Sequence, residues 1–266
     1  MKIVEAKYQR LIISSLPFMY TYITRLGTLF RLYQFFGGEM VPIMIMTYAL
    51  VNNYYLNAIL AIKFVYFVLF SVFIYITFFT LYEIGYIIND CVTTKYESEP
   101  SLRYADSIYW KYLVGSKLGF FTFFTALAWV IFQIDIFLFV AYGTLTMFLF
   151  LLHNRLPLQD RGLSYFWLEV MRLMILPYTV IHDQSKILIM FVLIFPELFR
   201  RIIRYVRIKY LSYDRKFSTF DLKVSLVSVF MVCIFLFQYD ISLIPVLAFG
   251  YLVIIIGIII SIYLCG

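Results

Sequence analysis

The sequence predicts an all-α fold, a polytopic transmembrane helix bundle of about eight membrane helices. Three observations carry that expectation. The 266 residues are 64% hydrophobic and only 14% charged, with a mean hydropathy of +0.90. A water-soluble chain of this length cannot hide so much apolar surface. Apolar runs of about 20 residues recur along the chain, the length that crosses the hydrocarbon core of a bilayer as a helix. Basic residues cluster between alternate runs. A transmembrane β-barrel would instead show short alternating segments broken by turn residues. Runs such as 246–263 are continuously apolar.

Taken in order, residues 1–38 read as a cytoplasmic, interface-lying segment. Leu11–Tyr22 is apolar but contains Pro17, lacks a small-residue cleavage site and runs into Arg25 and Arg31, so no cleavable signal peptide is expected. Residues 39–266 read as one bundle. Its spans fall at 40–58, 62–88, 110–132, 135–152, 164–182, 186–204, 222–239 and 241–264. The first is the weakest, because Asn52 and Asn53 interrupt it.

The net charge of +7 raises nucleic acid as a partner, but the placement of the charges excludes it in favour of topology. Of the 22 basic residues, 19 lie in the N-terminal segment or near the loops after spans two, four and six. Lys63, Arg172 and Lys186 are the exceptions. This is the positive-inside pattern. It predicts a multi-pass protein, of the plasma membrane, with its termini and basic loops in the cytoplasm. Anionic lipid or phosphate is the second use of such charge.

Polar groups at two span ends carry the chemistry. Asn89 and Asp90 close the apolar run 64–88, and Glu97 follows Asp90 by seven residues, two helical turns on the same face. Glu83 precedes Asp90 by the same interval, deeper in the run. It reads as a buried protonated acid or as a partner of Arg172. Span six ends on Glu197, Arg200, Arg201 and Arg204, again a seven-residue stripe. The layout suggests two four-helix halves around a central cavity, each offering a polar stripe to one site. Carboxylates suit Mg²⁺, a hard cation that takes oxygen ligands, and arginines grip phosphate oxygens in pairs. An apolar bundle with both suits a lipid diphosphate.

These residues resemble the UbiA superfamily of intramembrane prenyltransferases. The first signature of that family, N-D-x-x-D-x-x-x-D, aligns with Asn89, Asp90, Thr93 and Glu97. An arginine near a proline follows, as Pro100 and Arg103 do. His153-Asn154-Arg155 through Arg161 resembles its basic loop between helices four and five. The second signature, D-x-x-D-x-x-x-D, falls on Glu197, Arg200 and Arg204. The likeness covers most of the chain in layout and is specific around Tyr86–Arg103. Thr93 replaces one carboxylate and Glu97 replaces an aspartate. Arg200 and Arg204 stand where the family has acids, and eight spans are counted against a usual nine. The resemblance implies Mg²⁺ on Asp90 and Glu97 with Asn89 beside them, and Glu197 as a further metal ligand. It implies Lys95, Arg103, Arg200, Arg201 and Arg204 on the diphosphate. The activity implied is transfer of a prenyl group from a polyprenyl diphosphate to a lipophilic or aromatic acceptor.

Each of these residues also has a plainer reading. Asp90 and Glu97 suit a solvated helix end, and the span-six arginines suit a stop-transfer cluster. Glu169 and Arg172, three apart, suit a salt bridge, with an acceptor-site role as the sharper alternative. Cys91 is expected to fill space, with a reactive thiol as the alternative. His153 and His182 read as interface residues. Two other functions stay open: a non-catalytic relative that binds a lipid phosphate, and a transporter or scramblase.

Overall fold

The computed structural model describes residues 9, 11–28, 40–52, 59–93, 109–157 and 160–210. Predicted spans seven and eight lie outside the described residues. Among the described residues every regular element is helical. Short helical pieces, among them Met19–Thr21 and the π-turn Tyr22–Leu26, precede six longer helices. These are α1 (Val41–Asn52), α2 (Ile59–Cys91), α3 (Trp110–Phe132), α4 (Ile136–Arg155), α5 (Arg161–Val180) and α6 (Gln184–Tyr210). Among the described residues three segments are long and apolar enough to cross a membrane: Lys63–Cys91 within α2, α3 and α4.

The chain divides into two compact units. The first holds residues 1–32 and 69–157, the second 33–68 and 158–266.

In the first unit, α3 runs antiparallel to α2 and α4. Phe70 and Phe73 near the start of this part of α2 meet Phe132 at the end of α3, at 5.1 and 5.5 Å between ring centres. Tyr82, towards the other end of α2, packs its ring 4.5 Å from that of Phe150 near the end of α4. The turn between α3 and α4 is short because its residues are suited to it. Gln133 takes a left-handed conformation (φ 57°) that stops α3, and the Asp135 carboxylate caps α4 by accepting from Leu138 N–H at 2.9 Å. Threonines are tolerated inside these apolar helices because their hydroxyls turn back on carbonyls four residues earlier. Thr77 donates to Phe73, Thr80 to Ile76 and Thr146 to Tyr142. Gly85 lets the Phe150 ring lie against the α2 backbone, where a Cβ would stand 2.3 Å from Cγ of that ring. Close approach through small residues is how apolar helices gain contact where water drives nothing.

In the second unit, α5 and α6 form an antiparallel hairpin joined by 181–183. Asp183 starts α6, accepting from the Ser185 hydroxyl at 2.6 Å and its N–H at 2.9 Å, and these bonds hold its carboxyl below the ordinary value. Ile43, Met46 and Leu50 of α1 pack with Leu173, Met174, Met190, Leu193 and Ile194. Lys186, one of the exceptions to the charge pattern, donates to the Leu50 carbonyl at 2.9 Å and so satisfies a group the end of α1 leaves open. This grouping differs from an even division in chain order. The first predicted span joins the fifth and sixth, because its apolar face repeats at the spacing that fits the α5–α6 surface.

Candidate functional site

The first cluster is built on one face of α2. Glu83, Tyr86 and Asp90 recur at intervals of three and four, so they line up along the helix. Residues 11–28 lie against this face as a strap. Its apolar side, Leu11 and Tyr20, is buried with Ile87, Cys91 and Leu113. Cys91 is therefore a packed core thiol. The strap reverses direction at Leu16-Pro17-Phe18, where Phe18 adopts φ 65°. A turn of that kind leaves backbone groups unpaired, and a buried ion pair takes them up. The Glu83 carboxylate accepts from Phe18 N–H at 3.0 Å and Thr21 N–H at 2.6 Å. Lys117 of α3 donates to the same carboxylate at 2.5 Å and to the Leu16 carbonyl. Both charged side chains are fully buried.

Glu83 thus has Lys117 as its partner, where the sequence had suggested self-neutralisation or Arg172. By sequence Lys117 belongs with the basic residues near the loop after span two, because it lies near the start of a span. It faces inward because one helical turn or two into α3 is the depth at which Glu83 stands on α2. An acid and a base, each inside an apolar helix, were the signal for this pair. A carboxylate or ammonium buried alone would neutralise.

Seven residues further along α2, Asp90 is 2% exposed. Nη2 of Arg25 donates to both of its oxygens, at 3.0 and 3.2 Å, Tyr20 O–H donates at 3.1 Å and Asn89 Nδ2 at 3.2 Å. The Arg25 guanidinium also lies 3.8 Å from the centre of the Tyr86 ring. Burial, and then the Asp90 charge, push the Tyr20 hydroxyl well above its ordinary value, so it remains a donor through neutral pH. Arg25 and Tyr20 were not singled out as site residues in the sequence. Lys95, Glu97 and Arg103 lie outside the described residues.

The second cluster belongs to the second unit. Glu197 accepts from Arg200 through Nη2 at 2.5 Å and Nε at 2.9 Å, and from Arg201 Nε at 2.6 Å. Arg201 reaches across to Glu169 of α5 at 3.0 Å, and Arg172 meets the same oxygen at 3.2 Å. The expected Glu169–Arg172 pair is present, extended among the described residues into a network that includes Arg200, Arg201 and Glu197. Glu169, Glu197, Arg200 and Arg201 are all buried. Tyr165 and Tyr205 stack beside it at 4.1 Å. Arg204 continues the stripe, half-buried. His153 closes α4, and His182 is exposed between α5 and α6.

Among the described residues no group of three or more His, Cys, Asp or Glu side chains comes together. Asp90 and Asn89 have oxygen atoms of the kind a hard cation takes. The Asp90 oxygens are already engaged by Arg25, Tyr20 and Asn89. Both Glu197 oxygens are engaged by arginine. Comparison with protein-family models, curated proteins and solved structures returned no match.

Proposed function

We propose that this chain is an integral, multi-pass membrane prenyltransferase of the UbiA kind, taking a prenyl group from a polyprenyl diphosphate and giving it to a lipophilic or aromatic acceptor. The observation that carries the reading is Asp90, a buried carboxylate beside Asn89 at the end of a long apolar helix. Large apolar side chains left exposed on α3 and α4, such as Trp129, Ile131, Phe137 and Phe148, support a lipid environment. Arg25, Lys111, His153 and Arg155 belong to the same end of the first unit as Asp90, which supports a cytoplasmic assignment for that end.

Prenyl transfer breaks the bond between the allylic carbon and the diphosphate oxygen. The electron pair leaves with the diphosphate, the carbon bonds to the acceptor, and the acceptor gives up a proton. The leaving charge has to be met. Lys95 and Arg103 are assigned to the diphosphate oxygens. In the second unit Arg200, Arg201 and Arg204 are phosphate-binding candidates of their own, with Glu197 positioning two of those guanidinium groups. Asp90 and Glu97, with Asn89 beside them, are assigned to Mg²⁺, which when bound neutralises diphosphate charge.

A second reading, a non-catalytic protein that binds a lipid phosphate, is favoured by the arginines that occupy the Asp90 and Glu197 carboxylates. Calorimetric titration of the protein in nanodiscs with a polyprenyl diphosphate, with and without Mg²⁺, separates the two when products are also analysed. Metal-dependent binding with released diphosphate is the expected result. Metal-independent binding without turnover would replace the first reading by the second.

A further inference from the structure

We propose that the strap 11–28 is a re-entrant segment. It enters the bilayer beside α2 and α3, turns at Leu16-Pro17-Phe18 and returns to the same side, with Ile12, Ile13 and Leu16 set against lipid acyl chains. The inference rests on α2 and α3 crossing the membrane and is independent of prenyl transfer. The sequence suggested a segment lying on the interface, and the contacts carry this part of it below that level.

Depth is read from contacts along α2. Tyr20 O–H and Arg25 reach Asp90, near the end of the apolar helix. The N–H groups of Phe18 and Thr21 reach Glu83, seven residues back, about 10 Å at the helical rise. The Phe18 ring meets that of Phe79, a further turn inward, at 6.0 Å between centres. Helix α3 gives the same measure. Leu11 is buried with Leu113, whereas the Leu16 carbonyl accepts from Lys117, four residues further in. Lys117 lies seven residues inside Trp110, again about 10 Å. Trp110 and Trp129 stand about 28 Å apart along α3, close to the roughly 30 Å hydrocarbon core that tryptophans frame at its two interfaces. The strap therefore descends from Leu11 to Phe18 and rises again to Arg25.

Its two faces are the reverse of those of a water-facing segment. Ser14 and Ser15 are buried, and Ser15 turns its hydroxyl onto the Ile12 carbonyl. Ile12, Ile13 and Leu16 are 59, 41 and 44% exposed, and Leu118, next to Lys117 on α3, is exposed as well. Small hydroxylated residues inward and large aliphatic ones outward is the packing used where lipid surrounds a helix. A non-helical turn at such depth is tolerated only where protein takes up its backbone groups. The Glu83–Lys117 pair does so for Leu16, Phe18 and Thr21, and both of its side chains are fully buried. That gives the ion pair its use.

Photo-crosslinking of the unsubstituted full-length protein in nanodiscs tests the proposal. Two phosphatidylcholine probes are used, one with a diazirine deep in the acyl chain and one with it on the headgroup. Trypsin cuts after Arg10, Arg25, Lys117 and Arg155, so residues 11–25 and 118–155 are read as separate peptides. The acyl-chain probe is expected to label both. Acyl-chain label on 118–155, with 11–25 reached only by the headgroup probe, would return the strap to the interface and overturn the proposal. Acyl-chain label on neither would overturn the membrane reading of α3 and α4, and the proposal with it. Lys117→Met is expected to lose the acyl-chain label from 11–25 and keep it on 118–155, because the turn no longer has all its backbone groups taken up. Label kept on both would overturn the part given to the ion pair.

Discussion

Asp90 and Glu197 are both buried carboxylates held by arginine, and they are held in opposite ways. Asp90 takes its guanidinium from a residue 65 positions earlier in the chain, on a separately anchored strap. Glu197 takes two from its own helix, three and four residues on, and the network is closed by Glu169 and Arg172 of the neighbouring helix. The first pairing depends on how the strap packs against α2. The second is drawn largely from one helix and extended by its neighbour. Neutralising an acid through a distant segment ties the pair to tertiary packing. Neutralising it within one helix ties the pair to helix spacing.

The largest effect is expected where the strap is anchored. Lys117→Met strands the Glu83 carboxylate in an apolar interior, and removing one partner of a buried pair costs about 3–5 kcal/mol. Thermal unfolding in detergent reads this as a large fall in Tm, with residues 11–28 opened to protease. An unchanged Tm would mean the anchor carries no stability. In the second unit, Glu197→Gln removes the charge between Arg200 and Arg201. The loss should be smaller, about 1.5–3 kcal/mol, because Glu169 still faces Arg201 and the amide still accepts. A loss as large as that of Lys117→Met would erase the distinction drawn between the clusters.

These contrasts also explain what the sequence made legible. Helix α3 is expected at 110–132 and found at Trp110–Phe132, because the run is mostly apolar and Gln133, in a left-handed conformation, stops it. The Glu169–Arg172 pair was legible because spacing on a single helix determines it. Arg25–Asp90 and Glu83–Lys117 were not, because the partners meet only after three separate segments pack. Lys117 looked like one more topological charge, and the strap looked like a peripheral segment. Its Pro17-Phe18 turn gave no hint that two of its N–H groups would find an acid on α2. The regrouping of α1 with α5 and α6 was hidden for the same reason: periodicity names the face of a helix but not its partner.

The smallest expected effect concerns Tyr20, which shares Asp90 with Arg25. Tyr20→Phe removes one donor from Asp90 and should cost about 1 kcal/mol. It should also change the alkaline limb of stability. The folded protein holds the Tyr20 proton above the pKa near 10 of an unfolded tyrosine, so this contribution is complete below that pH and fades above it. Tm measured from pH 8 to 11 should fall less steeply in Tyr20→Phe than in the parent. Parallel curves would mean the hydroxyl is not held protonated by its surroundings.

The central claim is that Asp90 serves a lipid diphosphate, and transfer of a radiolabelled prenyl group in nanodiscs tests it most directly. Asp90→Asn keeps the size of the side chain and removes its charge. The account predicts that this variant inserts and folds but transfers no label. Transfer at the parental rate by the folded variant would contradict it.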